Sequence, residues 1–498
     1  MAAVSVGVGS WIERRALIAP DQAALVFGET TCTYRELADR VRHVAAGLLE
    51  LGVSRGDRVV WLGANHPAFL EVFFATAKLG AALAPVNHRL AGSMIDELVA
   101  EYSAEVAVLG DGAGEATLPG VRSRVVVRAP AGSEIAYEDL LAHPADISVE
   151  PDVGFDDLCL LTHTSGTTGM PKGVMLTQGN VTWNVVNLLS LVDFRSDDVT
   201  IAIAPFFRTG GTGVNVLPVL FKGGTVVIPQ TLEANEVLRL LDQRRVTVGF
   251  GNPDLLGALV RSPDWRTTEL GSIRCFITGG APVPERLLRT YAERGVPLLQ
   301  GYGLSEAGPF VLLLDAPNAL RKLGSAGKPP LFVDVRTARG DGSSSSQNET
   351  GELLVRGPNV MVGYWNRDAA TRAALDGEGW LHTGDAARID DEGYVWIVDR
   401  VVDAYESAGQ VVYPGDVERV LGEHASVDDV GIRADDGVSV AYVVLATDQA
   451  ATEQDLLEFC RQQLRPYQVP TSVTFVGSLP RNSVGKLLRH ELGASART

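Results

Sequence analysis

Cysteine is scarce in this 498-residue sequence: Cys32, Cys159, Cys275 and Cys460 are widely scattered and show no CxxC spacing. That pattern offers neither a disulfide framework nor a cysteine zinc site, and buried free thiols are expected. Basic residues are outnumbered, 43 against 61 acidic, for a formal charge of −18. A field of that sign repels polyanions, so nucleic acid is not an expected partner. A phosphate-bearing ligand would have to be held locally, by backbone N–H groups, single cations and a metal ion. The sequence also lacks an uncharged apolar run of about 18 residues, and its start lacks the basic and apolar pattern of a secretory leader. No membrane span is expected, and the chain is placed in the cytoplasm. The Walker pattern GxxxxGK[ST] is missing too.

What is present is ample apolar material, 46% of residues against 21% charged, enough for several buried cores and two or more domains. Residues 34–51, YRELADRVRHVAAGLLEL, repeat apolar positions at helical spacing and stop at Gly52. The β-branched run in GDRVVWLG reads as a buried strand, Pro67 to Leu79 as the next helix, and 81–85 as a further strand. Strand-like runs recur at 158–161, 200–204, 225–228, 247–251 and 274–277. That alternation predicts parallel, doubly wound α/β sheets. Past residue 325 the texture changes to short alternating segments around Ser343–Ser346, predicting a hairpin-rich β subdomain with a polar tip. The last hundred residues pair a strand-like run (438–446) with a helix (453–464), a small α+β unit. The expected division is 1–400 and 401–498.

The segment Leu160–Gly173, LLTHTSGTTGMPKG, joins an apolar strand to a loop of hydroxyls and glycines ending in a lysine. Gly166 and Gly169 permit close backbone approach, Thr164, Ser165, Thr167 and Thr168 offer hydroxyl and N–H donors, and Lys172 supplies a cation. These are the groups a phosphate needs, although a short loop of this composition is also what a surface turn contains. Residue for residue, TSGTTGMPKGV resembles the signature of the carboxylate-adenylating (ANL) superfamily of acyl-CoA synthetases, nonribosomal-peptide adenylation domains and luciferases.

The resemblance extends over nearly the whole chain. Phe276–Pro282, FITGGAP, looks like the family's turn against adenine, which implies nucleotide contacts from Gly279, Gly280, Ala281 and Pro282. Gln300–Gly308, QGYGLSEAG, looks like its next motif: Gly301, Tyr302, Gly303 and Ser305 would border the nucleotide, Tyr302 stacking near adenine, and Glu306 would help to hold magnesium. Gly379–Arg400 is similar to the ribose-binding stretch, with Asp385 accepting the ribose hydroxyls and Arg400 assisting. Read from its residues alone, Asp385 is either a diol acceptor or a turn-capping aspartate. Leu479–Arg489 resembles the segment that carries the catalytic lysine, here Lys486. Two anions meet in the adenylation step, and a cation between them offsets about 4 kcal/mol per contact at ~4 Å and an effective dielectric of ~20.

The resemblance thus implies an ATP-dependent acyl-CoA ligase with a large N-terminal domain of two doubly wound subdomains plus a β-rich one, followed by a small mobile C-terminal domain. ATP and Mg2+ would serve formation of an acyl-AMP from a hydrophobic carboxylic acid. Domain alternation about a hinge at Val402 would then bring Gly409 to line a tunnel for CoA. The acyl pocket would be bordered by Phe207, Arg208 and Gly211.

Three hinge-region positions depart from the family's pattern: Val402 replaces a polar hinge residue, Glu406 a lysine, and Val411 a polar nucleotide contact. Arg208 stands where relatives commonly carry histidine, either to pair with a carboxylate or phosphate or to fold outwards. Three alternatives stay open on these residues: an enzyme running mainly one half-reaction, one loading a carrier-protein thiol, and a nucleotide-binding protein without turnover.

Overall fold

The structure is a computed structural model that describes residues 6–114, 116–144, 153–164, 171–435, 438–481 and 487–493. Two compact units result, one of residues 1–334 and 355–381, the other of residues 335–354 and 382–498. This division by compactness differs from one at residue 400 because the β-rich segment pairs with the strands that lead up to Arg400.

The larger unit contains two eight-stranded sheets. In one, strands Arg58–Leu62, Ala82–Val86 and Val106–Leu109 run parallel, with Val59 opposite both Leu83 and Val106. Strand Leu158–His163 continues it beside Ala82–Val86. In the other, Val199–Ile201, Val248–Gly251, Cys275–Thr278 and Leu298–Tyr302 run parallel in that spatial order. Val–Ile–Leu runs buried on both faces are what a helix-covered parallel sheet requires.

The helices start and stop where local chemistry dictates. Thr33 and Glu36 form a capping box ahead of helix Tyr34–Glu50, and Gly80 ends helix Pro67–Leu79 in the left-handed conformation. Separate apolar cores sit on the two sheets, one around Val60, Leu98 and Tyr102, the other around Ile203, Leu241 and Phe276.

The smaller unit has a four-stranded sheet that includes Gly351–Arg356, Leu381–Ile389 and Val395–Arg400. It also has a two-stranded hairpin and a three-stranded sheet. Helices Pro414–Gly422 and Glu453–Gln463 pack on the last, around Val417, Ile432 and Leu456. All four cysteines are free thiols; Cys32 is half-buried and the others are buried. No helix among the described residues is long and apolar enough to cross a membrane.

Candidate active site

Thr164 follows strand Leu158–His163, and Lys172 precedes strand Gly173–Thr177, which pairs antiparallel with it. The loop is thus a strand-to-strand connection. A helix N-terminus, with its dipole and free N–H groups, does not follow it as in strand–loop–helix phosphate sites. Its ends are clamped: Thr164 N–H donates to the Lys172 carbonyl at 3.1 Å, and Lys172 N–H donates to Thr164 Oγ1 at 3.4 Å. Ser165, Gly166, Thr167, Thr168 and Gly169 lie outside the described residues.

Lys172 Nζ stands 4.4 Å from the centre of the Tyr364 ring, and the Tyr364 hydroxyl donates to Glu306 Oε1 at 2.7 Å. The expected phosphate-binding cation and the expected magnesium-binding carboxylate are therefore linked by one buried aromatic side chain, which sequence reasoning did not single out. Tyr364 lies on a two-residue strand, Gly363–Tyr364, too short for any periodicity to announce it. Glu306 is also fixed through its backbone, its carbonyl accepting from Met361 N–H at 2.8 Å.

The two glycine motifs meet at the ends of neighbouring parallel strands. A Cβ on Gly279 would come 2.5 Å from the Gly301 carbonyl oxygen, so the backbones touch and no larger residue fits. Gly280 and Pro282 are exposed beyond this contact and Ala281 is half-buried. Tyr302 ends its strand, followed by Gly303 and by Ser305, whose Oγ lies 3.1 Å from Thr209 Oγ1. Thr209, the residue after Arg208, thereby ties the segment expected to border the acyl group to the Gln300–Gly308 motif.

That acyl segment is pinned by Asn65, which accepts from Phe206 N–H at 2.8 Å and donates to the carbonyls of Ala202 and Ala204 at 3.0 and 2.9 Å. Phe207 is buried edge-on to His88, with ring centres 5.7 Å apart. Gly211 N–H donates to the Arg208 carbonyl at 2.9 Å. Arg208 is half-buried, its guanidinium 6.0 Å from the Phe207 ring, and burial lowers its pKa from the ordinary value. Among the described residues it forms no ion pair with a carboxylate. Of the two expected orientations, the half-buried one is present. His163 is buried, and burial, reinforced by the charge of Arg208, pushes its imidazole down to about 4 against an opposing hydrogen bond with the Pro85 backbone. The residue is therefore neutral at physiological pH.

In the smaller unit, Asp385 faces Arg400 across antiparallel strands, Oδ1 to Nη1 at 3.0 Å. Asp385 lies within its strand; the neighbouring turn polar group is Thr383, whose Oγ1 accepts from Asp385 N–H at 3.1 Å. Lys486 lies outside the described residues.

Three residues downstream, Arg489 gathers a carboxylate cluster. Its Nη2 is 3.2 Å from Asp399, its Nε is 3.6 Å from Asp403, and its Nη1 pairs with Glu418. Asp399 and Asp403 bracket the expected hinge at Val402, which is 79% exposed. Glu406 and Val411 are exposed cross-strand partners in the hairpin of Tyr405–Ser407 and Gln410–Val412, with Gly409 in its turn.

The AMP-binding enzyme family model matches residues 12–365, and the AMP-binding enzyme C-terminal domain model matches residues 416–486. The chain is 42% identical to a feruloyl-CoA synthase of an Amycolatopsis species over 98% of each chain. It is 35% identical to an indoleacetate–CoA ligase of Aromatoleum aromaticum over 97% of each. Among solved structures it resembles the O-succinylbenzoate coenzyme A synthetase of Bacillus subtilis in complex with ATP and magnesium ion. That match has a TM-score of 0.82 and 30% identity, covering 97% of this chain and 99% of the other. With family models over both parts of the chain and relatives of this identity along nearly its whole length, the protein belongs to the AMP-binding enzyme family, in its acyl-CoA ligase branch.

Proposed function

We propose that this ligase activates a carboxylic acid with an aromatic body, using ATP and magnesium, and transfers the acyl group to the thiol of CoA. The observation that carries the reading is the chain of contacts Lys172–Tyr364–Glu306 beside the clamped loop end at Thr164. It joins a cation, two hydroxyls and a carboxylate, the groups that a magnesium-bound triphosphate requires.

The donor set fits the ion. Among the described residues no three His, Cys, Asp or Glu side chains cluster as metal ligands. Magnesium would therefore rest on Glu306 with phosphate oxygens and water, as it commonly does in nucleotide sites. When bound, it supplies charge neutralisation on the phosphates.

In the first step a carboxylate oxygen of the acid attacks the α-phosphorus of ATP, and the bond to pyrophosphate breaks. Loop residues Thr164 to Lys172 hold the β- and γ-phosphates and Lys486 neutralises both reactants. Gly279 to Pro282 and Gly301 to Ser305 take the adenine side, and Asp385, with Arg400, the ribose. In the second step the CoA sulfur attacks the acyl carbon, the bond to AMP breaks, and the thiol proton is lost. Positioning and charge neutralisation are the protein's contribution. Motion about a hinge at residues 400–402 would exchange Lys486 for the Gly409 face between steps. The acid class is supported by the two most similar named relatives, whose names denote aryl-bearing acids, and by Phe207 and His88 at the expected acyl pocket.

The test is incubation with ATP, magnesium and a panel of aryl and alkyl acids, with and without CoA, following acyl-AMP, pyrophosphate and acyl-CoA by mass spectrometry. Acyl-CoA from an aryl acid is expected. Acyl-AMP that persists with CoA present would restrict the enzyme to adenylation, thioester from supplied acyl-AMP alone would restrict it to the second step, and no product from any acid would refute the reading.

A further inference from the structure

We propose that Tyr364 is a positioning residue of the adenylation step, setting the orientation of the Glu306 carboxylate through its hydroxyl and the position of the Lys172 ammonium through its ring. The inference rests on the nucleotide-site reading above and adds to it a residue with its own function.

Three features show that the side chain is built to make both contacts. First, strand Gly363–Tyr364 pairs antiparallel with Gly173–Thr177, Tyr364 opposite Val174, so the ring is carried one strand away from the lysine that opens that strand. Second, the Tyr364 backbone is fixed. Its N–H donates to Thr371 Oγ1 at 2.9 Å, and Trp365 N–H donates to the Gly173 carbonyl at 2.7 Å. Third, the ring is 5% exposed, so the hydroxyl reaches Glu306 from a side chain with little freedom.

A hydrogen bond to an ionised carboxylate is among the stronger protein hydrogen bonds, and here it occupies one oxygen, Oε1. The bond fixes the plane of the carboxylate before an ion arrives. The ring face attracts the ammonium 4.4 Å away without neutralising it, as a carboxylate would, so Lys172 remains a full cation for phosphate. A merely space-filling tyrosine would need neither contact.

The two roles separate by substitution. Tyr364→Phe keeps the ring and the lysine contact and removes the hydroxyl; Tyr364→Leu removes both. Binding of a non-hydrolysable ATP analogue is measured by calorimetry over a magnesium series, with thermal unfolding as the check on folding. For Tyr364→Phe the magnesium concentration giving half-maximal tightening is expected to rise about tenfold, with metal-free affinity within about twofold of wild type. Tyr364→Leu is expected to lose metal-free affinity as well, about three- to tenfold.

In a Glu306→Gln background the phenylalanine substitution should change the magnesium response by less than about twofold, because the hydroxyl acts through that carboxylate. An unchanged magnesium response in Tyr364→Phe, or the same effect with and without Glu306, would overturn the proposal while leaving the ligase reading intact. Failure of the wild type to bind the analogue at any magnesium concentration would overturn both.

Discussion

Asp385 and Arg400 occupy directly opposed positions on antiparallel strands, and Arg400 Nη1 approaches Asp385 Oδ1 to 3.0 Å. The pair holds a carboxylate in one orientation at a strand position, which suits acceptance of two adjacent hydroxyl protons. Asp385→Asn keeps the shape and removes the charge that both hydroxyls and Arg400 use. The affinity for AMP, read by calorimetry, is expected to fall about 10- to 100-fold, the size of one or two charge-assisted hydrogen bonds. The same substitution should leave binding of 2′,3′-dideoxy-AMP within about twofold. An equal loss with both ligands would show that Asp385 acts by supporting the sheet and not by meeting the ribose.

His163 predicts a pH dependence of stability. Its folded pKa is depressed from 6.5 to about 4, first by burial and then by Arg208. Below pH 6.5 the unfolded chain takes up a proton that the folded protein refuses, so stability is full above the unfolded value and is lost as pH falls from 6.5 towards 4. The loss amounts to about 3 kcal/mol at the lower limit. Chemical denaturation across that window should show wild type declining, and His163→Phe should flatten that part of the profile. A variant that declines in parallel with wild type would assign the effect to other groups.

Much of this molecule is legible in the amino-acid sequence, and the parts that are not share a cause. Helices 34–50 and 67–79 and the parallel strands appear where periodicity and terminal residues predict them, because each is specified within its own window by apolar spacing, a cap and a glycine. The phosphate loop, the adenine-side glycines and Asp385 are legible as motifs. What does not show is contact between distant segments: the antiparallel return Gly173–Thr177, the grouping of the β-rich segment with the C-terminal strands, and Tyr364 beside both Lys172 and Glu306. A tyrosine in VMVGYWN carries no sign of where its hydroxyl ends, since its partner is 58 residues away in the chain.

Arg489 illustrates the same point and leads to a stability prediction. It is mostly buried and faces Glu418, Asp399 and Asp403, so its removal leaves several carboxylates near one another without their cation. Arg489→Met is expected to destabilise the C-terminal unit by about 3 kcal/mol, the usual scale for breaking one side of a buried pair. Hydrogen exchange should show reduced protection in helix Pro414–Gly422, where Glu418 lies. Adding Glu418→Gln to the variant should recover part of the loss, because one of the stranded charges is then gone. No recovery would mean that the packing of the arginine stem outweighs its charge.

The hairpin Tyr405–Ser407 and Gln410–Val412 separates a structural role for Gly409 from a functional one. Both turn residues have positive φ, Ala408 at 50° and Gly409 at 70°, the conformation of a two-residue type I′ turn, which favours Asn-Gly. Nothing lies within 4 Å of where a Cβ on Gly409 would stand, so Gly409→Ala meets no steric obstacle here and costs only the left-handed backbone, about 1 kcal/mol. Ala408→Asn relieves a similar cost and should stabilise the hairpin by several tenths of a kcal/mol. If Gly409 acts only in the turn, joining the two substitutions should restore wild-type behaviour in both half-reactions. If it lines the path of the CoA thiol, the double variant should regain stability yet form thioester from supplied acyl-AMP at least about tenfold more slowly, with acyl-AMP synthesis within about twofold of wild type. Thermal unfolding and single-turnover assays of each half-reaction decide between these results, and equal slowing of both steps would remove Gly409 from the thiol path.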